Sequence, residues 1–264
     1  MTQSFSLYSS LRDKISSRDA RVVTVGLGYV GLPLALTISE SGFPTTGHDL
    51  NEARVASINA GERVISYFPE DRIANAIAGG KFSASSNPGV IGEADIVLMC
   101  VPTPLSAERE PDLAYVVRAA RSVAAELRPG QLVVLESTVW PGATATVVKP
   151  ILESNGLRAG SDFFLGFSPE REDPGNAKFD TKSIPKIVGA DDAHSRDLLD
   201  RFYSNIVTRT VPVSSLATAE AVKLAENSFR TVNIALVNEM KVAMEAMGVD
   251  VWEVIQAAAT KPFG

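Results

Sequence analysis

The sequence is poor in the residues that most often form cross-links or hold metals. It contains one cysteine and two histidines. A disulfide needs two cysteines, and a Cys/His zinc site needs about four ligands. The composition therefore excludes both, and we expect no bound metal. A chain without disulfides is typical of a reducing compartment, which predicts a cytoplasmic protein.

Long apolar runs and blocks of like charge are also missing. The first twenty residues lack the apolar segment of a signal peptide, and no later stretch approaches the roughly 18 uninterrupted apolar residues of a membrane span. With 25 Lys and Arg against 31 Asp and Glu, the formal net charge is −6 at pH 7. We therefore expect neither a membrane nor a nucleic acid as partner.

The sequence does contain a regular alternation of short apolar runs and longer helical segments. The chain has 264 residues and is 45% hydrophobic, which suffices for a sizeable core. Continuous, β-branched runs are typical of strands covered on both faces. They lie at residues 21–25, 44–48, 95–101, 131–135, 162–167, 186–188 and 206–211. Helical segments lie at residues 32–40, 51–60 and 112–127. This order predicts an α/β fold with a doubly wound parallel sheet.

The same pattern divides the chain into three regions. Residues 1–20 are predicted to form an amphipathic leader helix on the domain or a frayed tail. Residues 21–212 carry the alternating strands and helices of one domain. Residues 213–264 are dominated by a long central helix of about 45 Å, whose apolar residues recur every three or four positions. Such a helix either reaches a second domain or pairs with its counterpart in a homodimer.

A glycine motif follows the first predicted strand. It reads Gly26-Leu27-Gly28-Tyr29-Val30-Gly31 and is followed by a helical segment. Gly26 would make the tight turn, Gly28 would let the backbone approach a pyrophosphate, and Gly31 would let helix and strand pack closely. A purely structural glycine turn is the alternative.

Asp49 lies about 20 residues beyond the glycine motif, at the end of the second predicted strand. A carboxylate there accepts hydrogen bonds from the adenosine ribose and repels a 2′-phosphate. Together the motif and Asp49 predict a Rossmann domain that binds NAD rather than NADP. Arg54 weakens that preference, because an arginine can accommodate a 2′-phosphate.

Further candidates follow the next two predicted strands, whose carboxyl ends meet at the same edge of the sheet. Val101, Pro102 and Thr103 are candidate cofactor contacts, although a plain proline-rich strand exit explains them equally well. Ser137 and Thr138 are candidates too, with capping of the next helix as the alternative. Cys100 lies in an apolar strand, so we expect it to be an inert core residue.

Two charged groups of residues are candidates for the chemistry. Glu170, Arg171 and Glu172 follow the fifth predicted strand, where a carboxylate could act as a general base or position water; such loops are usually just solvated. Lys223, Asn227 and Arg230 share one face of the long helix. A Lys and an Asn so placed could stabilise an oxyanion near the nicotinamide, although solvated helix lysines are the rule.

Taken together, these motifs resemble the UDP-glucose/GDP-mannose dehydrogenase family of nucleotide-sugar 6-dehydrogenases. The resemblance covers essentially the whole chain from about residue 20. The matching strings are GLGYVGLPLA at 26–35, CVPTPL at 100–105, EPDL at 110–113, ESTVWPGAT at 136–144, FSPEREDPGN at 167–176 and AENSFRTVNIALVNE at 225–239. Residues 251–264 look most similar to the subgroup acting on UDP-N-acetylglucosamine or UDP-N-acetylmannosamine.

The resemblance implies a four-electron oxidation of the C6 alcohol of a UDP-sugar to a carboxylate with two NAD, through a cysteine-bound thioester, for surface-polysaccharide synthesis. Glu170 matches the glutamate of thioester hydrolysis, and Lys223 and Asn227 match the pair that stabilises the C6 oxyanion. Thr138 matches the threonine near the nicotinamide, and Thr103 a threonine beside the cofactor. Arg171, Glu172 and Arg230 are taken as further substrate contacts, with Glu172 the less certain match to a second glutamate.

The sequence departs from the family at its end. The family's catalytic cysteine lies in a GGxC motif after a KPFG-like string, and this sequence stops at Gly264. Cys100 lies in another motif. The resemblance therefore implies an incomplete portion of such an enzyme, lacking the nucleophile and the C-terminal sugar-nucleotide domain, that is inactive alone. A naturally short, non-catalytic module that binds NAD and dimerises is the alternative.

Overall fold

The computed structural model of the chain describes residues 2–66, 68–69, 71–171 and 182–261. The chain divides into two compact units, Met1–Lys223 and Leu224–Gly264. The first unit contains the sheet and most of the helices. The second contains the remainder of the long helix and one short helix.

The described part of the first unit contains an eight-stranded sheet with the strand order β3-β2-β1-β4-β5-β6-β7-β8. The strands are β1 Val22–Val25, β2 Thr45–His48, β3 Phe82–Ser85, β4 Ile96–Met99, β5 Leu132–Leu135, β6 Phe164–Phe167, β7 Lys186–Gly189 and β8 Thr210–Val213. The first six follow the 3-2-1-4-5-6 order of a Rossmann fold. The predicted α/β fold with a doubly wound sheet is confirmed.

One strand pairing differs from the predicted parallel arrangement. β6 and β7 pair antiparallel, with Phe167 opposite Gly189, while the other six pairings are parallel. A strand covered on both faces carries the same continuous apolar pattern in either direction. The pattern therefore could not show that β7 runs opposite to β6.

Ten α-helices accompany these strands in the described residues. They are α1 Thr2–Ser17, α2 Gly31–Glu40, α3 Glu52–Asn59, α4 Arg72–Ala78, α5 Val90–Glu93, α6 Ala114–Glu126, α7 Lys149–Leu152, α8 Ala193–Ser204, α9 Leu216–Ala246 and α10 Val251–Ala258. A π-helical turn at Thr144–Val148 runs directly into α7. None of the described helices is both long and apolar enough to cross a membrane.

The central strands are buried on both faces because their alternate residues enter two different cores. In β4, Val97 and Met99 pack in a cluster that includes α6, while Ile96 and Leu98 pack in a cluster with α1, α2 and α8. This double burial explains the continuous apolar runs. It also leaves the ends of the strands as the places for polar side chains.

The N-terminal helix contributes to the second of these cores. Leu11 and Ile15 of α1 are buried there, whereas Phe5, near the start of the helix, is 59% exposed. The tyrosine Tyr8 stacks on His194 of α8 with 4.4 Å between ring centroids, and its hydroxyl donates to Asp197 at 2.8 Å. α1 therefore packs on the domain through Tyr8, Leu11 and Ile15.

Two strands of the structure differ from the sequence prediction. β3 was not predicted, because the sequence Phe-Ser-Ala-Ser contains only two apolar residues. The last strand was predicted at 206–211 but runs from Thr210 to Val213. Ile206 and Val207 are apolar because they enter the core in the turn after α8.

The second unit consists of α9 from Leu224 onward and α10. The apolar stripe of α9 is exposed in this chain. Its large members are Phe229 at 72%, Val232 at 66%, Leu236 at 55% and Met240 at 38% exposure. Asp250 caps the N-terminus of α10, and its side chain accepts a hydrogen bond from the Trp252 N–H at 2.9 Å.

Candidate functional site

The glycine turn between β1 and α2 borders the first part of the site. Gly26 has φ +94°, and a Cβ there would lie 2.7 Å from the carbonyl oxygen of Cys100. A Cβ on Gly31 would lie 1.8 Å from the Gly26 oxygen, so glycine lets α2 start directly against the turn. A Cβ on Gly28 would meet no described atom within 4 Å. The backbone at Gly28 therefore borders open space, where a ligand can approach it.

Asp49 is attached to this turn by hydrogen bonds. Its Oδ2 accepts from the Leu27 N–H at 2.8 Å, and its Oδ1 accepts from the Asn51 N–H at 2.9 Å. Arg54 Nη1 donates to the Leu27 carbonyl oxygen at 2.9 Å. The Asp49 carboxylate is thus fixed beside the turn, and its oxygens have further lone pairs for a ligand hydroxyl.

A cleft of about 540 Å³ opens beside these groups. It lies at the carboxyl ends of β1, β2 and β4, where the strand order reverses and where open α/β sheets bind ligands. Its volume is within the range of small-molecule sites. Four predicted cofactor residues line it: Gly26, Asp49, Val101 and Pro102.

Helix α6 supplies a wall of the cleft that sequence reasoning missed. Tyr115 and Arg118 line it, and the guanidinium carbon of Arg118 lies 4.6 Å from the centre of the Tyr115 ring. The two residues are three positions apart and therefore share one face of α6. That spacing was the available signal, and it is common on helices that bind nothing.

Ser137 joins the ends of β4 and β5. Its Oγ accepts from the Val101 N–H at 3.1 Å and donates to the Val101 carbonyl oxygen at 2.7 Å. These contacts show that the buried Ser137 hydroxyl holds the two strand exits together. They also hold Val101 at the edge of the cleft.

Cys100, which directly follows β4, is buried in the core cluster that contains α1, α2 and α8. This burial is expected from the apolar strand predicted at 95–101. Burial raises the pKa of its thiol well above the ordinary value, and the nearby negative charge of Glu136 adds to that shift. The thiolate form is therefore suppressed, and Cys100 is a poor nucleophile.

A buried ionic group lies next to Cys100, and sequence reasoning missed it. Lys186 Nζ lies 2.5 Å from Glu136 Oε2, and the Tyr203 hydroxyl donates to Glu136 Oε1. Lys186 Nζ also donates to the Pro169 carbonyl oxygen at 3.2 Å. Burial raises the pKa of Glu136, and the charge and hydrogen bond of Lys186 oppose that shift without cancelling it. Glu136 follows β5 directly, while Lys186 in β7 and Tyr203 in α8 lie 50 and 67 residues further along the chain, so no local pattern connects them.

Glu170 and Lys223 are brought together from two separate predictions. Lys223 Nζ lies 3.8 Å from Glu170 Oε2, and the two side chains are 10% and 22% exposed. Glu170 follows β6, and Lys223 lies in the second turn of α9. At 3.8 Å the contact between Lys223 and Glu170 is an ion pair rather than a short hydrogen bond.

Glu170 also lines a small cavity of about 20 Å³, which has room for one water molecule. Glu136, Lys186 and the predicted cofactor residue Val30 line the same cavity. Arg171, a predicted substrate contact, lies beside it and donates from Nη1 to the Pro185 carbonyl oxygen at 2.5 Å. A water there would have polar partners of both signs.

The other predicted site residues are placed as follows. Tyr29 is 67% exposed, and Thr103 and Thr138 are half-buried after β4 and β5. Asn227 is half-buried and Arg230 exposed in the second unit, which is described by itself. Glu172 lies outside the described residues.

Comparison with known proteins decides the family. Residues 20–207 match the UDP-glucose/GDP-mannose dehydrogenase family, NAD binding domain. The chain belongs to the UDP-glucose/GDP-mannose dehydrogenase family. Residues 217–264 match the central domain of the same family. The resemblance predicted from the motifs is confirmed, and the cleft beside Asp49 lies within the NAD binding domain.

Curated relatives in this family include two dehydrogenases of N-acetylated UDP-sugars. The UDP-N-acetyl-D-glucosamine 6-dehydrogenase of Pseudomonas aeruginosa is 38% identical over 246 residues, covering 92% of this chain and 57% of the relative. The UDP-N-acetyl-D-mannosamine dehydrogenase of Pyrococcus horikoshii is 35% identical over 243 residues, covering 92% and 58%. The chain thus spans somewhat more than half the length of these relatives.

Solved structures of the family show the same fold. The UDP-D-ManNAc dehydrogenase of Pyrococcus horikoshii matches with a TM-score of 0.87 and 36% identity, covering 92% of this chain and 58% of that one. The GDP-mannose dehydrogenase of Pseudomonas aeruginosa, solved as a ternary complex, matches with a TM-score of 0.85 and 28% identity, covering 91% and 57%.

Proposed function

We propose that this chain forms the NAD-binding part, and the beginning of the sugar-oxidising site, of a nucleotide-sugar 6-dehydrogenase. The substrate class is a UDP-N-acetylhexosamine, whose C6 alcohol is oxidised to a carboxylate with two NAD. One observation carries the proposal: the Asp49 cleft and the Glu170–Lys223 pair both lie in the first unit. Asp49 follows the carboxyl end of β2, and Glu170 follows the carboxyl end of β6 and pairs with Lys223 of α9. A module that only binds NAD has no evident use for the Glu170–Lys223 pair.

The cleft supports NAD rather than NADP. NAD, when bound, supplies a hydride acceptor for each oxidation step. Open space at Gly28 leaves room for the pyrophosphate, and the fixed Asp49 carboxylate accepts from the ribose hydroxyls while repelling a 2′-phosphate. Arg54 is bound to the Leu27 carbonyl oxygen, so its guanidinium is already engaged on the turn. Selectivity therefore rests on Asp49.

The charged pair supports the chemistry at C6. The Lys223 ammonium stabilises negative charge that develops on the C6 oxygen, and the proposed partner in this role is Asn227. Glu170 holds Lys223 and positions water beside the reacting carbon. Thr138 lies after β5 and is proposed to contact the nicotinamide. Burial of Lys223 strengthens its field at the substrate, because fewer waters screen it.

We further propose that the protein is a homodimer through α9 and that it acts in the cytoplasm. The exposed stripe of Phe229, Val232, Leu236 and Met240 supports the first proposal. The single, buried cysteine supports the second, because it leaves the chain without a disulfide.

Gly28→Val tests cofactor binding without disturbing the fold. A Cβ at Gly28 meets no described atom within 4 Å, and the valine side chain extends into the space proposed for the pyrophosphate. We expect the variant to melt at the wild-type temperature and to lose NAD affinity by more than about tenfold in a calorimetric titration. A variant that keeps both its melting temperature and its NAD affinity contradicts the proposal.

A further inference from the structure

Glu220 is a completely buried carboxylate in the first turns of α9, three residues before Lys223. Its Oε2 accepts from the Gly142 N–H at 2.5 Å. Its Oε1 accepts from the Thr144 N–H at 2.8 Å and from the Thr144 hydroxyl at 2.5 Å. One side chain of α9 thus holds three donors of the segment that follows β5.

This arrangement is specific to a carboxylate. A buried charge is costly unless its oxygens are hydrogen-bonded. Gly142 and Thr144 lie at the start of the helical segment that continues into α7, where N–H groups lack partners within the helix. The two oxygens of Glu220 satisfy such groups, and an apolar side chain of the same size would leave them unpaired.

The contact joins two elements of the proposed site. Gly142 lies four residues beyond Thr138 and two beyond Trp140, in the loop of residues 136–143 that leaves β5, which we call the Thr138 loop. Lys223 lies on the buried face of α9 that contains Glu220. The start of α9 is also pressed onto β7, because a Cβ on Gly189 would lie 2.6 Å from the Ala219 Cβ. Glu220 therefore links the Thr138 loop to the helix turn that carries Lys223.

We propose that Glu220 is a positioning residue, which fixes the position of the Thr138 loop relative to Lys223. We call this relative position the register. Lys223 then meets Glu170, and the loop that carries Thr138 is held at the carboxyl end of β5. That this register serves catalysis rests on the proposed function. The register itself can be measured without cofactor or substrate.

Glu220→Gln in the full chain tests the inference. The glutamine keeps the size of the side chain, but its NH₂ group must face either the Gly142 or the Thr144 donors. Two readouts report on the register. One is the rate at which a small amine-reactive acylating reagent modifies Lys223, followed by mass spectrometry. The other is acrylamide quenching of Trp140, measured with Trp252→Phe as background so that Trp140 is the single tryptophan.

We expect Lys223 to be acylated about fivefold faster or more in Glu220→Gln, and Trp140 to be quenched more strongly, because both elements open locally. Glu62→Gln is the matched control: Glu62 is an exposed loop glutamate, and its variant should match wild type in both readouts. A residue that only stabilises the fold would lower the melting temperature but leave both readouts unchanged in the folded protein. That outcome overturns the proposal.

Thr144→Val keeps the inference testable if Glu220→Gln does not fold. It removes one of the three donors and leaves both N–H groups in place. We expect a smaller increase in both readouts, and unchanged readouts overturn the proposal. Loss of NAD binding in the wild-type chain would count against the proposed function alone, because neither readout involves NAD.

Discussion

The Asp49 carboxylate is held by two backbone N–H groups at the edge of the proposed NAD cleft. This geometry predicts the cofactor selectivity. Asp49→Ala should weaken NAD binding by about tenfold or more, because hydrogen bonds to a charged group contribute about 1.5–3 kcal/mol. It should also reduce the discrimination against NADP. Isothermal titration calorimetry with both cofactors measures the two effects.

Glu62→Ala is the control for Asp49→Ala, since it removes one negative charge at an exposed position. Its affinities for NAD and NADP should equal those of the wild type. If Asp49→Ala also leaves both affinities unchanged, the role assigned to Asp49 is wrong.

The buried ion pair of Glu136 and Lys186 carries a second prediction at this scale. Glu136→Gln leaves the Lys186 ammonium buried without its counter-charge, so the free energy of unfolding should fall by about 3–5 kcal/mol. Urea denaturation at pH 7 measures the change. The double variant Glu136→Gln/Lys186→Met, which removes both charges, should recover part of the loss. A double variant as unstable as the sum of both single variants would contradict a direct interaction.

Asp95 joins three elements at the opposite, amino-terminal edge of the sheet. Its Oδ1 accepts from Lys14 of α1 at 2.7 Å and from Arg128, after α6, at 3.1 Å, and its Oδ2 accepts from the Arg21 N–H, before β1, at 3.0 Å. Burial raises the pKa of Asp95, but these hydrogen bonds outweigh it and leave the pKa below the ordinary value. The ionised carboxylate therefore stabilises the folded chain.

The sign of this shift predicts a pH dependence. Because the folded state binds the Asp95 proton more weakly than the unfolded state, the stabilisation is complete above the unfolded pKa of about 3.9 and is lost as the pH falls through the lower folded pKa. Asp95→Asn should cost about 2 kcal/mol at pH 7 and progressively less below about pH 4. Urea titrations across this range test it. An equal cost at pH 7 and pH 2.5 would contradict the assignment.

Elements with strong local patterns were predictable from the sequence, and those defined by distant contacts were not. The turn at Gly26, the strand ending at His48 and helix α9 carry their own signals, and all appear close to their predicted positions. The edge strand β3 carries two apolar residues and was missed. The direction of β7 depends on its neighbour rather than on its own residues.

The candidate site divides in the same way. Gly28 and Asp49 were found because their spacing is local to one strand, turn and strand. Glu220 and Tyr203 were missed, because their partners lie 76 and 67 residues away and each occurs in an ordinary helical segment. Only the folded sheet brings such residues to its carboxyl edge.

At the scale of the whole molecule, the exposed stripe of α9 predicts self-association. Four large apolar side chains along one helix are an unusual surface for a monomer. We expect light scattering to give twice the mass of the chain, and Leu236→Asp, which places a charge within the stripe, to give the monomer mass. A monomeric wild type would contradict the proposed dimer and would leave the NAD site unaffected.

The central claim is that the NAD cleft and the Glu170–Lys223 pair form one site. Intermolecular nuclear Overhauser effects between bound NADH and a chain labelled at its threonine methyl groups test this claim most directly. The account predicts contacts from the nicotinamide ring to the Thr138 methyl group, in the loop that Glu220 links to Lys223. Nicotinamide contacts confined to threonines away from this sheet edge, such as Thr2 or Thr260, would contradict it.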